Sequence, residues 1–176
     1  AGFTHWAKLN NLKQAAKTMN FLTEHGISSY GELESKLNAV SARRDTAHAE
    51  IKRIESRSAE LTLVMKHAGT YRQLKPLYDR YRKSNDKEKF LRGHESEIIL
   101  FEAAARELKR LGAVPLPTTE SMKKELANLT AEKERLLAEY KAARTEAQEY
   151  DTVKQNVEAL LTVPKEQEQQ RRHELE

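Results

Sequence analysis

Residues 33–65 read LESKLNAVSARRDTAHAEIKRIESRSAELTLVM, and their apolar residues recur at alternating steps of four and three. The series runs Leu33, Leu37, Val40, Arg44, Ala47, Ile51, Ile54, Ser58, Leu61 and Met65. Only Arg44 and Ser58 in it are polar. A sustained seven-residue repeat predicts a coiled-coil seam, because it keeps one stripe of a helix facing a partner helix.

A second seam with the same spacing occupies the last third of the chain. It runs Met122, Leu126, Leu129, Lys133, Leu136, Tyr140, Ala143, Ala147, Tyr150, Lys154, Val157 and Leu161, and it ends before Pro164. The intervening segment returns the chain to the end of the first seam, so we predict that the two seams pair in antiparallel orientation. If Met65 lies level with Met122, Ala47 faces Tyr140, and a small residue lies opposite a large one. The alternative is a slip by one heptad.

The sequence therefore predicts an all-α fold. A long antiparallel coiled-coil hairpin pairs about residues 29–68 with 119–162, and further packed helices cover about 3–25, 70–84 and 87–111. The predicted boundaries rest on Gly26, a capping box of Ser29 and Glu32, Gly69, Pro76, Ser84-Asn85-Asp86, Gly112, Pro115, Pro117 and Pro164.

Two boundary residues are expected to interrupt the helices after the first seam. Gly69 should end or weaken the helix, and Pro76 should break or kink the next one. We predict a single elongated helical domain over residues 1–164 and a polar, frayed tail over 165–176.

Two of the helices predicted outside the hairpin carry apolar residues of their own. The first has an apolar stripe of Trp6, Leu9, Leu12, Ala16, Met19 and Leu22. In the helix over 87–111, the run Ile98–Phe101 is apolar on several faces. We expect that helix to be the most enclosed element, with neighbours on more than one side.

Composition limits the classes of protein that fit. The 176 residues are 33% charged and 38% hydrophobic, and they include no cysteine. No apolar run approaches the roughly 20 residues that span a bilayer. We therefore expect a soluble cytoplasmic protein without membrane contact. Because the sequence begins inside a helical pattern, we also expect it to be part of a larger polypeptide.

The sequence contains no group of residues with the spacing of a known catalytic motif. The six histidines include no pair spaced two to four residues apart, and Ile98 stands where His94-Glu95 would need a second histidine to form a zinc-protease helix. No glycine-rich phosphate loop or nucleophile elbow occurs. We predict no catalytic residue, no metal site, no cofactor and no enzymatic activity for this chain.

The segment from Tyr71 to Arg92 is the one place where residues suggest a function. Eight basic and three acidic residues give it a net charge of +5, which leaves −1 for the rest of a chain of +4. The candidate nucleic-acid-binding residues are Arg72, Lys75, Arg80, Arg82, Lys83, Lys87, Lys89 and Arg92. Such cations neutralise phosphates, and nearby tyrosines or Phe90 stack on unpaired bases.

Three other interpretations of these features are open. In the first, the cations of this segment only solvate the outer face of a helix, with Asp79 and Lys83 as an i, i+4 pair. In the second, the tyrosines point inward and pack. In the third, the long seam serves as a dimer interface or as a docking surface for another helical protein.

Three blocks of the sequence resemble the C-terminal region of relaxase/mobilization nuclease proteins from conjugative and mobilizable elements of Gram-positive gut bacteria. The blocks are WAKLNNLKQAAKTMNFLTEHGISSYGELESKL, TYRQLKPLYDRYRKSNDKEKFLRGHESEIILFEAAARELKRLG and EYKAARTEAQEYDTVKQNVEALL. The likeness covers about residues 3–163 in the same order.

The resemblance implies a protein that nicks one DNA strand through a tyrosine in an N-terminal domain with closely spaced histidines. This chain has no such histidine pair, so no catalytic residue is carried over to it. For a C-terminal region, the resemblance implies help with binding single-stranded or transfer-origin DNA, or with transfer-complex or secretion-complex proteins. A homodimer is a further candidate assembly.

Overall fold

The computed structural model describes the backbone of residues 2–173 and the side chains of residues 11–161. Four α-helices make up its regular structure: α1 (Gly2–Glu24), α2 (Tyr30–Lys83), α3 (Lys87–Arg110) and α4 (Thr119–His173). No strand occurs among the described residues, so the prediction of an all-α fold is confirmed. As far as the chain is described, none of the helices is both long enough and apolar enough to cross a bilayer.

The chain forms two compact units. The first comprises the described residues of Ala1–His48 and Leu137–Glu176, and the second comprises Ala49–Leu136. This grouping does not test the predicted single domain over 1–164, which stays a prediction.

In the first unit, the beginning of α2 packs against the end of α4. Its buried core consists of Ile27, Leu33, Val40, Ala147, Tyr150 and Val153. The rings of His48 and Tyr140 lie 5.5 Å apart, and Lys154 Nζ lies 3.0 Å from Glu34 Oε1. These pairs agree with the predicted antiparallel register, which places residue 140 beside 47, and they contradict a slip by one heptad.

In the second unit, α2 packs against both α3 and the beginning of α4. Its buried core consists of Leu61, Val64, Ala68, Leu108, Ala113 and Met122. Met65 packs against this cluster, which includes Met122, and Lys133 Nζ lies 2.8 Å from Glu55 Oε1. Seam residues of α2 and α4 thus face each other in this unit too.

Glycine ends two of the helices, as the sequence predicts. Gly26 has φ +60° after α1, and Gly112 has φ +68° after α3. In each case the next residue donates its N–H to a carbonyl five positions back, Ile27 to Leu22 (2.8 Å) and Ala113 to Leu108 (2.9 Å). This pattern satisfies carbonyls that a helix end otherwise leaves unpaired.

The predicted break between residues 68 and 70 is wrong, because α2 stays helical through Gly69 and Pro76. Proline removes one intrahelical hydrogen bond and usually kinks a helix. Here tertiary contacts support the segment: the rings of Tyr71 and Tyr78 stack on Phe101 of α3, with centroids 4.8 and 4.2 Å away. The separate helix predicted over 70–84 is therefore the last part of α2.

The helix end predicted at Pro164 is also wrong, because α4 continues to His173. Helical geometry as far as His173 does not test whether the polar tail over 165–176 frays, so that part stays a prediction.

The capping box at the start of α2 differs in one partner from the predicted one. Ser29 Oγ accepts a hydrogen bond from the Glu32 N–H at 3.2 Å, as expected. The Glu32 carboxylate instead accepts from the N–H and the hydroxyl of Ser28, at 2.7 and 2.9 Å. The reciprocal bond thus reaches one residue further back than in the standard box.

The predicted apolar stripe of α1 faces the core only in part where side chains are described, because Leu22 packs against the core cluster of the first unit but Leu12 and Met19 do not. Leu12 and Met19 are 67% and 58% exposed, whereas Thr18 is only 2% exposed. Trp6 and Leu9 belong to the same stripe, and their side chains lie outside the described residues. The inner side of α1 instead carries Thr18 together with Phe21 and Leu22. A polar chain runs beside them: Gln14 donates to Asn156 Oδ1 (2.8 Å), and Asn156 donates to Thr18 Oγ1 (3.2 Å).

Helix α3 is not enclosed on several sides, contrary to the prediction. Ile98 and Phe101 are buried, but Ile99 and Leu100 are 57% and 54% exposed. The buried residues of the helix, Ile98, Phe101, Ala104 and Leu108, lie on one face, and Leu108 shares a core cluster with residues of α2 and α4.

Candidate nucleic-acid interface

The basic segment folds into the end of α2, a three-residue turn and the start of α3. Local hydrogen bonds order the turn: Ser84 Oγ donates to the Asp86 carbonyl at 3.0 Å, and the Lys89 N–H donates to Asp86 Oδ1 at 3.0 Å. Asp86 is therefore the N-cap of α3, as the sequence predicts. The turn brings the cations of both helix ends together.

Five of the eight candidate cations are exposed and have no ionic partner. They are Arg80, Arg82, Lys83, Lys87 and Lys89; we call them the basic turn. Among the described residues, no hydrogen bond or ion pair engages the charged side-chain group of any of these five. Their charges are therefore available to an external anion, and phosphate binding by such groups releases condensed counterions.

The remaining three candidates have partners within the chain. Arg72 donates to Thr119 Oγ1 at 2.6 Å and to the Pro117 carbonyl, so it holds the segment before α4. Lys75 lies 3.0 Å from Asp79, and the hydrogen bond that Lys75 donates to that carboxylate raises the pKa of Lys75. The predicted pair of Asp79 with Lys83 is wrong, because Asp79 lies against the cation one turn before it.

Arg92 has only a loose partner. Its guanidinium lies 3.9 Å from Glu88, and the two side chains are 80% and 89% exposed. An exposed pair at this distance contributes little, so Arg92 remains available beside the basic turn.

The aromatic residues of the segment are mostly used for packing. Tyr71 and Tyr78 stack on Phe101, as described above. Tyr81 is half-buried and lies 6.1 Å from the ring of Phe90, which in turn lies 4.8 Å from that of His94. The alternative that the tyrosines point inward thus describes Tyr71 and Tyr78, each of which has one ring face packed on Phe101.

Helix ends add to the electrostatics of the basic turn. Arg80, Arg82 and Lys83 lie in the last turn of α2, where cations complement the negative end of the helix dipole. Lys87 and Lys89 lie at the positive end of α3, where only Asp86 and Glu88 offset them. A positive field therefore persists on the α3 side of the turn.

No described histidine lies in a metal-binding group. Among the side chains of residues 11–161, no three His, Asp or Glu are placed to hold one ion; the side chains of His5 and His173 lie outside the described residues. His94 sits at a kink in α3 with φ −141°, and its Nδ1 is buried without a hydrogen bond to any described atom.

A groove with a volume of about 840 Å³ lies in the first unit, between α1 and α4. Lys13, Lys17 and Glu149 line it beside the polar chain of Gln14, Asn156 and Thr18. Sequence reasoning missed these hydrogen bonds between Gln14, Asn156 and Thr18, because isolated Gln, Thr and Asn residues on amphipathic helices look like solvated positions.

No protein-family model, no curated protein and no solved structure matches this chain.

Proposed function

We propose that this chain is a non-catalytic helical region of a relaxase or mobilization protein, and that it contacts single-stranded or transfer-origin DNA through the basic turn. The observation that carries the proposal is the placement of five unpaired, exposed cations on both sides of a three-residue turn. The resemblance of residues 3–163 to the C-terminal regions of that family supplies the biological setting.

The geometry favours contact with phosphates over reading of bases. One ring face of Tyr71 and one of Tyr78 is covered by Phe101, and both side chains are half-buried, so packing uses much of the surface that could stack on bases. Phosphate contacts position a nucleic acid without reading its sequence. Binding is therefore expected to be insensitive to sequence and strongly dependent on salt.

The alternative function, protein docking or dimerisation through the coiled-coil seam, has less support. Seam residues such as Leu33, Leu61 and Met122 are nearly completely buried inside their own units. A partner that used the seam would have to displace α4 from α2.

Fluorescence anisotropy with single-stranded oligonucleotides at about 50 mM salt tests DNA contact. Replacement of Arg80, Arg82 and Lys83 by alanine should weaken binding by about tenfold or more, because three phosphate contacts are lost. The matched control replaces Lys52, Lys66 and Lys123, exposed lysines away from the turn, and removes the same charge. Equal affinity of the wild type and the first variant, or equal losses in both variants, would contradict the proposal.

The assignment to a relaxase is tested separately by the coding sequence upstream of Ala1. The proposal expects a tyrosine followed by closely spaced histidines there. A reading frame with a different catalytic signature would remove the relaxase setting and leave the DNA contact to stand on the binding data.

A further inference from the structure

The side of α3 that faces away from α2 carries an apolar patch. Ile99 and Leu100 are more than half exposed, and Ala103, one turn further along, is exposed as well. The opposite side of the helix buries Ile98 and Phe101. Adjacent large apolar residues exposed on one helix face form a surface on which another molecule can dock.

Two charged residues of opposite sign flank this patch. Glu95 lies one turn before Ile99, and Arg106 lies one turn after Ala103, so all four residues fall on one stripe at helical spacing. Both charged side chains are exposed, and neither has an ionic partner among the described residues. The stripe therefore runs from acid through apolar to base along the helix.

This order of charges is complementary to itself when the helix direction is reversed. We propose that the outer face of α3, formed by Glu95, Ile99, Leu100, Ala103 and Arg106, binds the same face of a second copy of this chain in antiparallel orientation. A parallel arrangement would instead oppose Glu95 to Glu95 and Arg106 to Arg106, and like charges repel.

The antiparallel arrangement defines which residues meet. Around a two-fold axis near Leu100, the two Leu100 side chains face each other, and Ile99 faces Ala103 of the second copy. Glu95 of each copy then faces Arg106 of the other, which gives two identical ion pairs. Such an interface uses one patch on both subunits, as two-fold dimers do.

The patch is small for a permanent interface. Stable complexes bury about 1,200 Å² or more in total, and smaller contacts are weak and transient. We therefore expect a reversible equilibrium between monomer and dimer. It acts in addition to the proposed DNA contact and does not depend on it, because the basic turn contributes none of the five residues.

Sedimentation equilibrium of the full chain at concentrations up to about 1 mM tests the dimer. The wild type should show a dimer that dissociates on dilution, and Leu100→Glu should remove it. Leu63→Glu, at a half-exposed position of α2, is the control and should leave it unchanged. A wild type that remains monomeric over the whole range overturns the proposal.

Charge reversal tests the pairing itself. Glu95→Arg and Arg106→Glu should each weaken self-association by about tenfold or more, because two attractive pairs become repulsive. An equimolar mixture of the two variants should associate again, since every Arg then faces a Glu in the heterodimer. This recovery also shows that both variants are folded, and its absence overturns the proposed register.

Discussion

At the residue scale, the start of α2 depends on the hydroxyl of Ser29, which accepts a hydrogen bond from the Glu32 N–H. Removal of such a cap leaves a backbone donor unpaired and costs about 1 kcal/mol. Ser29→Ala should therefore lower the free energy of unfolding by about that amount in urea denaturation followed by circular dichroism. Ser35→Ala, at an exposed position in the same helix, should change it by less than about 0.5 kcal/mol; similar losses in both variants would contradict the capping role.

The same cap predicts a dependence on pH. Hydrogen bonds from the N–H and then the hydroxyl of Ser28 lower the pKa of Glu32 below its ordinary value of 4.5. The unfolded chain then takes up a proton before the folded one, so this contribution to stability is complete above that value and is lost as pH falls through the depressed pKa. Between about pH 5 and pH 3, the wild type should lose more stability than Glu32→Gln. Unfolding midpoints that fall in parallel would show that the carboxylate contributes nothing.

At the scale of elements, two glycines that look alike in sequence have opposite roles. Gly69 lies inside α2 with open space around its Cβ position, and Gly112 ends α3 with φ +68°. Gly69→Ala should stabilise the chain by about 0.5–1 kcal/mol, whereas Gly112→Ala should destabilise it by about 1–2 kcal/mol. Thermal unfolding of both variants measures the difference. A loss of stability in Gly69→Ala would indicate that the helix needs flexibility there.

Sequence reasoning found helix ends where local chemistry decides them and failed where packing decides them. Gly26, Asp86 and Gly112 act at helix ends through the backbone, and their roles follow from residue type. Gly69 and Pro76 are overridden by tertiary contacts, since Ala68 is fully buried and Tyr71 and Tyr78 stack on α3. The propensity of one residue costs less than such packing contributes.

At the scale of the whole molecule, the sequence shows where the positive charges lie, but it does not show which of them are paired within the protein. A count of basic residues treats Arg72 and Arg80 alike. The structure distinguishes them, because Pro117 and Thr119 provide acceptors for Arg72, whereas no described residue forms a hydrogen bond or an ion pair with the Arg80 side chain. Which cation is paired depends on residues distant in the sequence, and spacing alone carries no information about them.

The exposed faces of α1 and α3 also escaped prediction. An apolar stripe indicates burial, but it does not say whether the chain itself provides the covering surface. In α1 the inner side carries Thr18, Phe21 and Leu22, and Leu12 and Met19 are left exposed. In α3 the side with Ile98 and Phe101 is buried, whereas Ile99 and Leu100 are exposed among the described residues.

The number of phosphates that the basic turn neutralises tests the account most directly. The logarithm of the single-strand affinity should fall linearly with the logarithm of the salt concentration, with a slope of about 0.7 per phosphate contact. Alanine at Arg80, Arg82 and Lys83 should make the slope shallower by about 2, whereas alanine at Lys52, Lys66 and Lys123 should leave it unchanged. Identical slopes for the wild type and the Arg80, Arg82 and Lys83 variant would show that the basic turn does not bind the strand.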